Sequence, residues 1–85
     1  MPAKHVIIDR NADKRFLKLP RSLQKRTLNA YETLQKNPIA GVKLHGELSG
    51  FYKYRLGDYR IVYTFDPKAS TVKIMTIEHR QGVYK

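Results

Sequence analysis

Two alternating runs meet at Gly57-Asp58, and they constrain this chain more than any other feature. Phe51-Tyr52-Lys53-Tyr54-Arg55-Leu56 leads in, and Tyr59-Arg60-Ile61-Val62-Tyr63 leads out. Period-two alternation reads as strand, and two strands joined by two residues read as a β-hairpin. Glycine first in the loop suits a type II′ turn, whose twist matches that of the flanking strands. With this loop, Leu56 faces Tyr59 and Arg55 faces Arg60. Strand parity then puts Lys53, Arg55 and Arg60 on one face, and Tyr52, Tyr54, Ile61 and Tyr63 on the other. Like charges directly opposite each other destabilise a sheet. A chain that opposes two arginines, with only Glu78 near enough to compensate, needs positive charge at that spot. Arginine pairs suit phosphate. The hairpin thus has an aromatic face for a core and a cationic face for work.

The rest of the chain supplies what such a hairpin packs against. His5-Val6-Ile7-Ile8 is short and β-branched, which predicts a strand. Asp9 is a helix N-cap, and Ala12, Phe16 and Leu19 recur at helical spacing, predicting a helix over 10–18. Pro20 stops it and suits the start of a second helix over 21–36. That helix carries one stripe of Leu23, Thr27, Ala30, Tyr31 and Leu34 and ends at Asn37-Pro38. A glycine-punctuated loop follows over 39–50, then the hairpin, a turn at Asp66-Pro67-Lys68 and a last strand near 71–78. The order is β-α-α-β-β-β in one domain, residues 1–85. The expected class is α+β: an antiparallel sheet with an αα-hairpin packed on one face. Pairing Phe65 with Thr71 puts Arg60 opposite Thr76, on a face with Val72, Ile74, Glu78 and Arg80. The alternative register buries Arg80 without a partner, which is costly.

Charge narrows the partners. Seventeen Lys and Arg stand against seven Asp and Glu, a net charge of +10. Such a balance points first to a polyanion, and to nucleic acid among polyanions. There are no cysteines, so neither a disulfide framework nor a thiolate metal site is available. No apolar stretch approaches membrane-spanning length, and Met1-Pro2-Ala3-Lys4 leads into no signal-peptide core, so the expected location is cytoplasmic, with no membrane partner. His5, His45 and His79 lack metal-ligand spacing, and neither a nucleophilic triad nor a carboxylate pair stands out. Neither metal nor cofactor is expected, and an enzyme built from these residues works mainly with cations. Lys43 and His45 in the loop, with His79 at the strand end, are candidate contacts to RNA. Tyr31, Tyr52, Tyr54, Tyr59 and Tyr63 are assigned to packing. Tyr84 suits either a tail anchor or a stacking platform for a nucleobase.

Lys43-Leu44-His45-Gly46-Glu47-Leu48, the two hairpin runs, His79-Arg80 and Val83-Tyr84 together resemble the RelE/ParE toxin superfamily. The resemblance covers nearly the whole chain and is closer to the RelE branch. It implies an endoribonuclease, an mRNA interferase, that cuts messenger RNA in the ribosomal A site, inhibits translation and is silenced in a heteromeric complex with a cognate antitoxin. By motif, the working residues it implies are Lys53, Arg55, Arg60, Arg80 and Tyr84. Two further readings stay open: a ParE-like inhibitor of DNA gyrase, and a non-catalytic RNA-binding module.

The implied reaction is attack of a 2′-hydroxyl on its own phosphate, leaving a cyclic phosphate and a 5′-hydroxyl. Arg55 and Arg60 are expected to stabilise the charge gathering on the phosphoryl oxygens, Arg80 the charge on the leaving oxygen, and Tyr84 to align the scissile bond by stacking on a base. The chain departs from the family at one position that matters. Arg55 stands where the family pattern has a second lysine, and arginine does not give up its proton. Proton abstraction therefore falls to Lys53 or to another group such as His79.

Overall fold

The computed structural model describes residues 2–79. Its elements are β1 (His5–Ile8), α1 (Arg10–Leu17), α2 (Arg21–Lys36), β2 (Val42–Lys43), β3 (Tyr52–Leu56), β4 (Tyr59–Asp66) and β5 (Thr71–His79), with a 3₁₀ turn at Gly46–Leu48. Asp9 caps α1, its Oδ2 accepting from the Asn11 N–H at 3.1 Å. Pro20 occupies the N-cap of α2, where its missing N–H costs nothing. The α2 stripe is buried as its spacing requires, through Thr27, Ala30, Tyr31 and Leu34.

The five strands form one sheet in the order β1-β5-β4-β3-β2. The meander from β2 to β5 is antiparallel, as expected, but β1 lies parallel to β5, so the sheet is mixed. The loop over 39–50 also contributes a strand, the two-residue β2, which pairs with β3 and closes that edge. Alternation along a sequence shows which residues share a face. It carries no information on strand order, and this difference is one of order.

Both helices cover one face of the sheet. Ala12, Leu19, Ala30, Tyr31 and Leu34 meet Leu56, Ile61, Tyr63, Val72, Ile74 and Ile77 in a single core, with Tyr52, Tyr54 and Tyr59 packed against it. Tyr63 is fully buried, its ring stacked on Tyr52 at a centroid distance of 5.2 Å. Its hydroxyl donates to the Pro38 carbonyl at 2.8 Å and accepts from the Gly41 N–H at 2.9 Å, pinning the α2–β2 loop to β4. Gly41 is required there, since a Cβ would come within 2.6 Å of both the Lys53 carbonyl oxygen and that hydroxyl.

The hairpin register is the expected one, with Leu56 opposite Tyr59 and Arg55 opposite Arg60. Gly57 takes φ +60, while Asp58 is not among the positive-φ residues, the combination a type II′ turn needs. The β4–β5 register differs from expectation. Phe65 pairs with Val72 rather than Thr71, and Arg60 with Glu78 rather than Thr76. The ladder also slips by one residue: Tyr63 opposes Ile74 and Val62 opposes Thr76, leaving Met75 as a β-bulge. The bulge reverses the parity of β5. Val72 and Ile74 before it lie in the core, not on the Arg60 face, and Ile77 after it is buried as well. Thr76 and Glu78 are thereby turned to the open face.

Candidate functional site

On the uncovered face, β3, β4 and β5 line up Arg55, Arg60 and Glu78 in one cross-strand row. Lys53 stands on the same face, opposite Val62. Arg60 donates from Nε to Oε1 of Glu78 at 3.1 Å, and its Nη2 lies 3.0 Å from the same carboxylate oxygen in an ion pair. Both side chains are partly covered, with 21% exposure for Arg60 and 33% for Glu78. This pairing explains how the sheet tolerates opposed arginines: the middle member of the row is neutralised from the side away from Arg55. The pair uses one edge of the guanidinium. The two Nη1 hydrogens have no partner among the described residues.

Arg60 and Glu78 form one wall of a shallow cleft of about 310 Å³. It is also lined by Val62, Thr76 and the bulged Met75, by Leu44, Leu48 and Phe51 of the loop before β3, and by Asp9 and Asn11 at the start of α1. An apolar lining beside a half-buried cation fits a ligand with an anionic group and a flat or apolar body. Asp9 is already engaged in capping α1. Among the described residues, no three His, Asp or Glu side chains gather closely enough to hold a metal ion.

The residues singled out from sequence divide into three groups. Lys53, Arg55 and Arg60 share the open face, although only Arg60 lines the cleft. Lys43, His45 and His79 are elsewhere. Lys43 pairs with Tyr52, so parity directs it to the face opposite Lys53; His45 is exposed ahead of the 3₁₀ turn. His79 meets Tyr59 edge-on at 4.7 Å, on the helix side of the sheet, away from Arg60. Arg80 and Tyr84 lie outside the described residues. The sequence alone does not reveal Phe51, Val62 and Met75 as cleft-lining residues, nor the direct bond from Arg60 to Glu78. The pair depends on a bulge that alternation does not reveal.

Comparison with known proteins gives a consistent result. The family model described as the ParE toxin of type II toxin-antitoxin systems matches residues 6–84. Toxin RelG of Mycobacterium tuberculosis is 34% identical over 67 residues, covering 78% of this chain and 77% of that protein. Toxin RelE of the same organism is 31% identical over 83 residues, covering 95% and 86%. Among solved structures, the toxin-antitoxin complex RelBE2 of Mycobacterium tuberculosis superposes with a TM-score of 0.86 at 29% identity, covering 94% of this chain and all of the matched one. The chain thus belongs to the ParE toxin family of type II toxin-antitoxin systems, within the RelE/ParE superfamily.

Proposed function

We infer that this toxin is a ribosome-dependent endoribonuclease that acts in the cytoplasm on messenger RNA. The observation that carries the reading is the row on the open face, where Arg60 is held at a cleft with part of its guanidinium unengaged and Arg55 and Lys53 stand alongside. A scissile phosphate at this row gains charge in the transition state. Fixed donors there are worth more in the transition state than in the ground state, which is the condition for catalysis. Arg60 and Arg55 stabilise the phosphoryl oxygens, Lys53 adds charge, and the sequence-assigned Arg80 and Tyr84 serve the leaving oxygen and the stacked base. The three cations Lys53, Arg55 and Arg60 do not themselves provide a strong proton acceptor. Positioning by the ribosome must therefore supply much of the rate, and well-oriented reactants recover roughly 7–11 kcal/mol of barrier.

The partner is a cognate antitoxin. Relatives of this fold have been solved as RelB–RelE complexes from several organisms. This chain supports the same arrangement with a net charge of +10 and an edge strand β1 whose Ile7 and Ile8 are 51% and 42% exposed. An acidic segment with an apolar face suits both features, and by covering the open face it silences the site.

The test is induction in a bacterial host followed by mapping of transcript ends, with and without translation. Cuts inside reading frames that vanish when translation is blocked are expected. Intact transcripts combined with altered DNA supercoiling would support the gyrase-directed reading instead.

A further inference from the structure

We propose that Glu78 is the proton acceptor for the attacking 2′-hydroxyl. The proposal rests on the ribonuclease reading and names the group which that reading leaves open. Three observations carry it.

The bulge at Met75 comes first. Without a slip in β5, the parity that buries Val72 and Ile74 would bury Glu78 with them. The extra residue turns Glu78 onto the open face, directly opposite Arg60. Bulges commonly re-aim side chains beside active sites.

The geometry of the pair comes next. Arg60 binds Glu78 through Oε1 alone, and Oε2 takes no hydrogen bond from the described residues. The carboxylate is fixed by one oxygen, while Oε2 keeps no partner among the described residues on a side chain that lines the cleft. Arg60, fixed in the same way, offers its Nη1 edge to a phosphate. One ion pair thus presents an acceptor and an anion site side by side, as attack by a 2′-hydroxyl on the neighbouring phosphorus requires.

Elimination comes last. A proton acceptor must carry a lone pair in its resting state. Arg55 and Arg60 do not, and the Lys53 ammonium must shed a proton before it can accept one. His79 faces Tyr59 on the other side of the sheet. The Asp9 carboxylate caps α1 and follows β1, which β5 separates from β4 and Arg60. Glu78 is the remaining candidate among the described residues that line the cleft.

The step balances without a co-reactant. Oε2 takes the 2′-hydroxyl proton as O2′ bonds to phosphorus. The bond from phosphorus to O5′ breaks, and O5′ leaves with its electron pair. O5′ gains a proton through solvent, to which Glu78 returns the one it took. The products are a 2′,3′-cyclic phosphate and a 5′-hydroxyl, and Glu78 ends as the carboxylate.

The experiment uses the full chain in single-turnover cleavage on ribosomes programmed with message. Binding is measured separately on ribosomes carrying the same message with 2′-O-methyl groups, which cannot react. Glu78→Gln keeps a carbonyl oxygen for Arg60 and removes the base. Its affinity is expected to stay within about threefold of the unmutated chain while cleavage falls on the order of a hundredfold. Glu78→Asp keeps a carboxylate and is expected to cut at least about tenfold faster than Glu78→Gln. Cleavage by Glu78→Gln within about threefold of normal overturns the proposal, as does an equal loss in Asp and Gln. Parallel losses of affinity and rate in Glu78→Gln also overturn it, because they reduce Glu78 to a support for Arg60. If the unmutated chain itself does not cut, the ribonuclease reading fails, a result distinct from all of these.

Discussion

Tyr63 shows how one side chain ties the core of this protein to the loop between α2 and β2. Its ring fills the core and its hydroxyl bridges Pro38 and Gly41, two loop groups that water does not reach easily. Tyr63→Phe leaves that carbonyl and N–H without their partner, which is expected to cost about 1–3 kcal/mol in denaturant unfolding. Gly41→Ala is expected to cost more, since the new methyl meets backbone at 2.6 Å. Tyr31 makes the opposite case. Its buried hydroxyl has no hydrogen-bond partner among the described residues, and burial, with a smaller contribution from the Asp13 carboxylate, pushes its pKa up to about 12. The folded protein therefore holds a proton that the unfolded chain releases near pH 10. Stability from this group is intact below about pH 10 and is lost as pH rises toward 12. Tyr31→Phe is expected to hold or raise stability at neutral pH and to flatten the alkaline decline. Thermal melts at pH 8 and pH 11 measure both.

Among the elements, β5 and α1 decide what lies on each side of the sheet. α1 packs on β5 and buries Ala12 completely, so the two backbones approach closely. Ala12→Leu overpacks that contact and is expected to cost about 1–3 kcal/mol, read as a lowered unfolding midpoint. Most element identities were legible in the sequence. The Gly57-Asp58 turn, the Asp9 cap and the α2 stripe each follow from short-range sterics and periodicity, and all three are present as read. What was not legible is long-range. The parallel pairing of β1 with β5 depends on strand order, and the two residues of β2 are too few to alternate. The bulge at Met75 is a one-residue offset, and strand parity carries a correct reading only as far as the first such slip. Parity alone therefore puts Arg60 among Val72 and Ile74 and does not reveal the Arg60–Glu78 bond, although the sequence marks Glu78 as the nearby compensating charge. Lys53, Arg55 and Arg60 sit before any slip, and their shared face was read from the hairpin alone.

At the scale of the whole molecule, the two faces of the sheet have different duties. One carries the core and both helices; the other carries a cationic row and a cleft on a chain of net charge +10. The central claim is that the open face is the catalytic one and that Arg60 is its main electrostatic group. Arg60→Ala tests it most directly, by single-turnover cleavage on programmed ribosomes with a thermal melt of the same preparation. A partly exposed ion pair is worth at most about 1 kcal/mol, and its loss is offset by relief of the repulsion from Arg55. The melt is therefore expected to move by less than about 8 °C in a domain of this size. Cleavage is expected to fall on the order of a hundredfold or more. An Arg60→Ala protein that folds normally and cuts message at the full rate would contradict the account.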